Sequence, residues 1–298
     1  MLFEVESSSA EQVSPATRLE GAYVTCISYS PVTSDAPIAA LFADGSLCLL
    51  HKDGSLQKKV TSAHHGAGIT LKWNWDGSSF ATGGEDGLVK VWSRSCSLRN
   101  NLSKYAHPVY SLSWGGHNGN DLVVAHANIL SLVSARPNTD IIEWEVLPKE
   151  SGIILSIDWN MVNNLIIAGS EDCRYRIFDT HGVCLFTSSP SIHVVTSVSW
   201  EPRGSLIAIG AFQSLMIANS DGQILHRTKM QMGSVSNIDW RPDGMQFIAA
   251  CADGSIIFAN VIGQKEYMGQ YQVSTIDTSA LEIKDMKQNA TSVITLQR

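Results

Sequence analysis

Charge is scarce in this chain. Asp, Glu, Lys and Arg make up only 16% of its 298 residues, and the balance is acidic, with a formal net charge of −7. A nucleic-acid surface needs a clustered excess of Lys and Arg, so no nucleic-acid partner is expected. The pair Lys58-Lys59 falls short of the run of about five basic residues that such a patch needs. Long hydrophobic runs are missing too. None approaches the ~18 residues of a membrane-spanning helix, so direct membrane insertion is not expected. The opening MLFEVESSSAEQVSPATRLE has no basic segment followed by an apolar core and does not read as a secretory signal.

Metal and cofactor signatures are equally absent. The six cysteines (Cys26, Cys48, Cys96, Cys173, Cys184, Cys251) form no CxxC pair and no zinc-like spacing with histidine. Scattered mostly through apolar runs, they are expected to be small buried thiols in a reducing compartment. The nine histidines do not cluster beyond His64-His65. GGHNGN, starting at Gly115, lacks the Lys-Ser/Thr of a phosphate loop. Asn101-Leu-Ser103 and Asn289-Ala-Thr291 match the glycosylation pattern and read as chance in a cytosolic chain.

What the chain does have is repetition. Trp73, Trp114, Trp159, Trp200 and Trp240 recur at intervals of 41, 45, 41 and 40 residues, each closing a short alternating segment such as ITLKW, ILSIDW or VSNIDW. Tyr29 holds the same place 44 residues before Trp73, which makes six copies. A period of about 40–45 residues built from short strands marks an all-β, WD40-type β-propeller, each copy one four-stranded blade. The five tryptophans are then expected in the blade cores. Six blades are recognisable, and a seven-bladed ring completed by terminal strands is the alternative. Residues 1–20 read as a flexible arm or remnant strand and 21–263 as the propeller. Residues 264–298 read as a tail with strand-like runs, serving ring closure or linking to a second propeller.

The second repeat is the clearest. Strand a is ITLKW, strand b FATGG and strand c LVKVW, with strand d expected near Ser97 to Leu102. Asp-Gly between the alternating runs favours a type I′ hairpin at Glu85-Asp86-Gly87. His64, Thr82, Asp86 and Trp92 resemble the hydrogen-bonded structural tetrad of WD40 blades. Other repeats keep it in part: the fourth has Glu150, Asp172 and Phe178, and the sixth keeps Asp253 with Gln231, Ala249 and Ala259 at the remaining places.

Beyond generic repeats, RLEGAYVTCISYSP, SAHHGAGITLKWNWDGSSFATGGEDGLVKVWS and SGIILSIDWNMVNNLIIAGSEDCRYRIFDTHG resemble the first propeller of the intraflagellar transport protein 80 family. The resemblance runs over roughly residues 21 to 298. It implies a non-enzymatic scaffold of complex B, partnered by other complex B subunits. Such a scaffold serves cilium assembly and anterograde transport, and is found in the cytoplasm, the cilium or flagellum and the basal body. Function would lie in rim loops. His65, Tyr105, His107, Glu171, Arg174, Phe212 and Gln213 are the candidate partner contacts, being too large or polar for bare turn duty. Against each stands an ordinary exposed loop residue.

Two alternatives differ in class. A vesicle-coat scaffold shares the propeller design. A propeller hydrolase needs Ser-x-Asp-x-Gly-x-x-Trp boxes or paired carboxylates in the channel. No such box occurs, and Asp158 and Asp239, each beside a blade Trp, are expected to point outward by alternation. No catalytic residue is assigned.

Overall fold

A computed structural model describes residues 2–7, 23–32, 37–116, 119–135, 141–148, 151–262, 265–277, 280–287 and 290–295. These residues are built from antiparallel strands, and no helix among them is long and apolar enough to cross a membrane.

Four repeats each fold into their own four-stranded sheet with strands paired in chain order a to d. Blade one comprises Val24–Tyr29, Ile38–Phe42, Leu47–Leu50 and Leu56–Val60. Blade two comprises Gly68–Trp73, Ser79–Gly84, Leu88–Ser93 and Leu98–Lys104. Blade three runs Val109–Gly115, Asp121–His126, Ile129–Ser134 and Ile142–Glu145. Blade four runs Ile154–Asn160, Leu165–Ser170, Tyr175–Phe178 and Cys184–Thr187. Blades five and six share one six-stranded sheet, because two long strands, Leu206–Asn219 and Ile224–Trp240, each pair with two neighbours. The fourth strand of blade six is the N-terminal segment Leu2–Ser7, paired to Ile256–Ile262. The start of the chain is thus stapled 250-odd residues away in sequence, a long loop closure that strand pairing must offset. Residues beyond 264 form a further four-stranded sheet, Lys265–Met268, Tyr271–Asp277, Ala280–Asp285 and Ala290–Thr295.

The hydrophobic cores lie between blades. Ala39, Leu41, Leu47 and Leu49 of blade one meet Leu71, Trp73, Phe80 and Trp92 of blade two. The same seam repeats for blades two and three, three and four, four and five, and five and six. Strand b of blade two is buried along its whole length because neighbours cover both of its faces. That explains why b strands read as continuous small and apolar runs, whereas d strands such as Leu98–Lys104 are largely exposed and polar. Blade one departs from the pattern. Ile27 and Tyr29 are 57% and 49% exposed, where their counterparts Leu71 and Trp73 are 1% and 8% exposed.

Two local devices recur. Every strand a of the six repeats carries a register break at its second residue, between Val24/Cys26, Gly68/Thr70, Val109/Ser111, Ile154/Ser156, Val195/Ser197 and Val235/Asn237. Such a bulge bends the strand and increases its twist. The Asp-Gly turns also share one build. The carboxylates of Asp44, Asp53, Asp76, Asp86, Asp243 and Asp253 each accept the N–H two residues on, at 2.9–3.1 Å. The intervening glycine takes positive φ.

This corrects the type I′ expectation for Glu85-Asp86-Gly87. Gly87 N–H bonds the Gly84 carbonyl at 3.1 Å, and only Gly87 has positive φ, at 71°. The turn is a type I turn closed by a left-handed residue, which leaves Asp86 in right-handed backbone with its carboxylate free to work. The cysteine expectation holds for Cys48, Cys96 and Cys251, which are buried; Cys26 and Cys173 are half-buried and Cys184 is exposed.

Candidate functional site: the rim of b–c turns and d–a loops

The b–c turns and the loops leading into strand a meet on one rim, and blade two shows how the backbone is held there. His64 Nδ1 lies 2.9 Å from Asp86 Oδ1, His64 Nε2 lies 2.8 Å from Thr82 Oγ1, and Trp92 Nε1 donates to Thr82 Oγ1 at 2.9 Å. One proton arrangement satisfies all of it. The indole donates to the threonine hydroxyl, that hydroxyl donates to Nε2, and Nδ1–H donates to the carboxylate. Burial lowers the His64 pKa, with Asp86 pulling the other way, so the ring is neutral as that chain of donors requires. Burial would raise the Asp86 carboxyl, but the N–H of His65, the His64 ring and the N–H of Leu88 together hold it below the ordinary range. Glu85 adds a second latch, accepting Ala67 N–H at 3.0 Å.

The other blades vary this latch. In blade four Glu171 accepts Ile153 N–H at 3.0 Å, as Glu85 does, and Asp172 pairs with Arg176 at 2.5 Å in place of a histidine. Glu150, the residue expected at the histidine place, lies outside the described residues. In blade six Asp253 accepts Gly233 N–H at 3.0 Å, the bond that Asp86 takes from His65. That register puts Met232, not Gln231, at the histidine place. Met232 packs on the apolar cluster containing Ala249 and Ala259, so an apolar contact replaces the polar chain. In blade three Tyr105 donates its N–H to Gly87, as His64 does to Gly45, and so stands at the histidine place. Its ring stacks on His126 with centroids 3.9 Å apart, and His126 Nε2 meets Ser131 Oγ at 2.8 Å. Nothing in the spacing of AHANILSLVS announced that cluster.

The seven proposed partner contacts therefore fall into two groups. Tyr105 is half-buried, and burial raises its pKa; Glu171 is committed to its latch; Arg174 is half-buried and donates to the Ser188 carbonyl at 2.6 Å. His65, His107, Phe212 and Gln213 are exposed on the rim. Phe212 and Gln213 line a pocket of about 160 Å³, which no sequence signal located.

Asp158 and Asp239 do not simply point outward. The Asp158 carboxylate accepts Ser113 Oγ–H at 3.0 Å, Trp159 N–H at 3.1 Å and Trp200 N–H at 2.7 Å, pinning three consecutive inner strands. Asp239 is open to solvent, yet the protein around it raises its pKa, with Lys72 opposing the rise and Asp158 adding to it. Alternation does turn both away from their tryptophans. That side brings Asp239 within electrostatic reach of Lys72 on strand a of blade two and Asp158 on strand a of blade four. Among the described residues no group of three or more His, Cys, Asp or Glu side chains is placed to hold a metal ion.

Interlocked sheets, inter-blade cores and this tetrad define a WD40-type β-propeller, and a profile described as WD domain, G-beta repeat matches residues 55–93. The chain is 35% identical to the intraflagellar transport protein 80 homologs of Mus musculus and Rattus norvegicus over 252 residues. That alignment takes in 85% of this chain and 32% of each relative, so the chain spans about a third of their length. The WD repeat-containing protein srw1 of Schizosaccharomyces pombe is 25% identical over 192 residues, 60% of this chain and 33% of that protein. A profile described as eukaryotic translation initiation factor eIF2A matches residues 135–276, less than half of the chain.

Proposed function

We propose that this chain is a non-enzymatic interaction scaffold of the intraflagellar transport machinery, acting with complex B subunits in the cilium and at its base. The observation that carries this reading is the 35% identity to intraflagellar transport protein 80 homologs over 85% of the chain. Geometry supports the scaffold half of it. Of the two carboxylates beside the blade tryptophans, Asp158 is committed to three structural hydrogen bonds. The rim, by contrast, presents side chains from several blades, with the backbone of blades two, four and six fixed by latches. Rigid strands that carry variable loops suit recognition at low entropic cost.

Affinity purification of the tagged protein from ciliated cells, with identification of stoichiometric partners, tests the proposal. Complex B subunits are expected. Recovery of vesicle-coat subunits instead, or turnover of a glycan panel by the purified chain, would overturn it.

A further inference from the structure

Blade five, like blade three with its Ala127 and Asn128, lacks the carboxylates of the rim latch. The strand register places Ser191, Phe212 and Gln213 where blade two has His64, Glu85 and Asp86. With the imidazole, both carboxylates and their hydrogen bonds gone, the space they would fill is open. It is the pocket of about 160 Å³ lined by Ile192, His193, Phe212, Met216, Arg227 and Lys229, among others. Ligand sites for small molecules run to about 300–1,000 Å³, so this one has room for roughly one bulky side chain.

Its chemistry is two-sided. Phe212, 41% exposed, meets the edge of His193 at 5.2 Å, and beside them Ile192 is 76% exposed. Met216 forms part of the wall, and methionine adapts to irregular apolar shapes. On the strand alongside, Arg227 and Lys229 pair with Met216 and Ser214 and are exposed. The Arg227 guanidinium donates to Met216 Sδ at 3.3 Å, a weak acceptor. No carboxylate lines the pocket, although the chain as a whole carries −7. An aromatic and an arginine around an apolar recess are the groups that anchor protein interfaces.

We propose that this pocket receives an acidic segment of a partner protein, which inserts one large apolar side chain beside Phe212 and sets its carboxylates against Arg227 and Lys229. The inference rests on the scaffold reading and adds to it the place and chemistry of one contact.

The test uses the whole chain and a fluorescein-labelled Gly-Ser-Glu-Glu-Phe-Glu-Glu-Ser-Gly peptide, read by anisotropy at low and physiological salt. Saturable binding that weakens with salt is expected. Replacing the peptide's Glu by Gln, or its Phe by Ala, should weaken binding about tenfold or more, ~1.4 kcal/mol. The R227E/K229E double variant should do the same. Gln213→Glu is the second variant, since blades two, four and six already tolerate a carboxylate at that place; it should repel the peptide while leaving the fold intact. No binding by the wild type, or equal binding by these variants or by the Gln peptide, sinks the proposal. Purification from ciliated cells separates the two readings. If the wild type recovers no transport subunit, the scaffold function fails whatever the peptide does. If R227E/K229E loses the peptide yet recovers the subunits, the pocket stands and assembly uses other surfaces.

Discussion

The indole N–H of Trp114 donates to the carbonyl of Lys72 at 2.9 Å, joining the inner strand of blade three to that of blade two. The same bond runs from Trp73 to Ser28 at 3.1 Å and from Trp240 to Ser199 at 3.3 Å. Each acceptor is the residue just before the preceding repeat's aromatic. The recurring tryptophan is therefore both a core side chain and a stitch between blades. Two members break the rule: Trp159 turns to Asn164 Oδ1 at 3.1 Å, and Trp200 Nε1 is buried with no hydrogen-bond partner among the described residues.

That difference predicts unequal costs for one substitution. Trp→Phe at either site removes similar volume, but Trp114→Phe loses the indole's hydrogen bond to the Lys72 carbonyl, whereas Trp200→Phe removes a donor that makes none among the described residues. Trp114→Phe should cost about 1–2 kcal/mol more than Trp200→Phe, the penalty of one unmade hydrogen bond. Urea denaturation of the two variants measures it. Equal costs would mean that the stitch contributes nothing beyond packing.

The tetrad of blade two predicts a sharper loss. Thr82→Val keeps the side-chain shape but leaves His64 Nε2 and Trp92 Nε1 without partners at a fully buried position. Two stranded groups at ~1–3 kcal/mol each imply roughly 2–6 kcal/mol. Urea denaturation measures the loss, and a cost below about 1 kcal/mol would show that the tetrad is ornamental in this propeller.

Much of this was legible in the sequence because strand burial has period two and blades repeat. Those two facts located the six a strands, the tetrad of blade two and the buried tryptophans. What was not legible depends on backbone register. Asp-Gly is compatible with two hairpin types, and only the single left-handed residue at Gly87 separates them. Met232 was missed in favour of Gln231 because the stretch from that place to the start of strand a is one residue shorter in blade six than in blade two. The blade-five pocket is written in what Phe212 and Gln213 replace, which a sequence shows only after the strands have been aligned by their pairing.

A pH-dependent prediction follows from Asp239. The raised pKa of Asp239 means that the folded chain holds that proton more tightly than the unfolded chain does. Its ionisation therefore costs stability, and the cost sets in as pH rises from the ordinary value of 3.8 through the folded one. Asp239→Asn removes the charge and should be more stable than wild type near pH 7. The gain should vanish at about pH 3, where the carboxyl is protonated in both states. Denaturant titrations at the two pH values test the sign. A destabilised variant near neutrality would show that attraction to Lys72 outweighs the surrounding protein.

The turns supply the last prediction. In blades one, two and six the residue after the turn aspartate is Gly45, Gly87 or Gly254, all at positive φ, but in blade four it is Cys173, at φ 64°. A left-handed backbone costs a residue with a Cβ about 1–2 kcal/mol. Introducing glycine returns part of that through the freer unfolded chain, leaving a gain of about 0.5–1 kcal/mol for Cys173→Gly. Cys96 is the control. It too is left-handed, at φ 55°, but it is 1% exposed and packs in the core between blades one and two. Cys96→Gly relieves the same strain and opens a cavity, and the lost packing should outweigh the relief. Thermal or urea unfolding of both variants reads the contrast. A gain at Cys173 with a loss at Cys96 assigns the effect to backbone strain at the blade-four rim, whereas a loss at both would show that the Cys173 thiol contributes more packing than its half-buried position indicates.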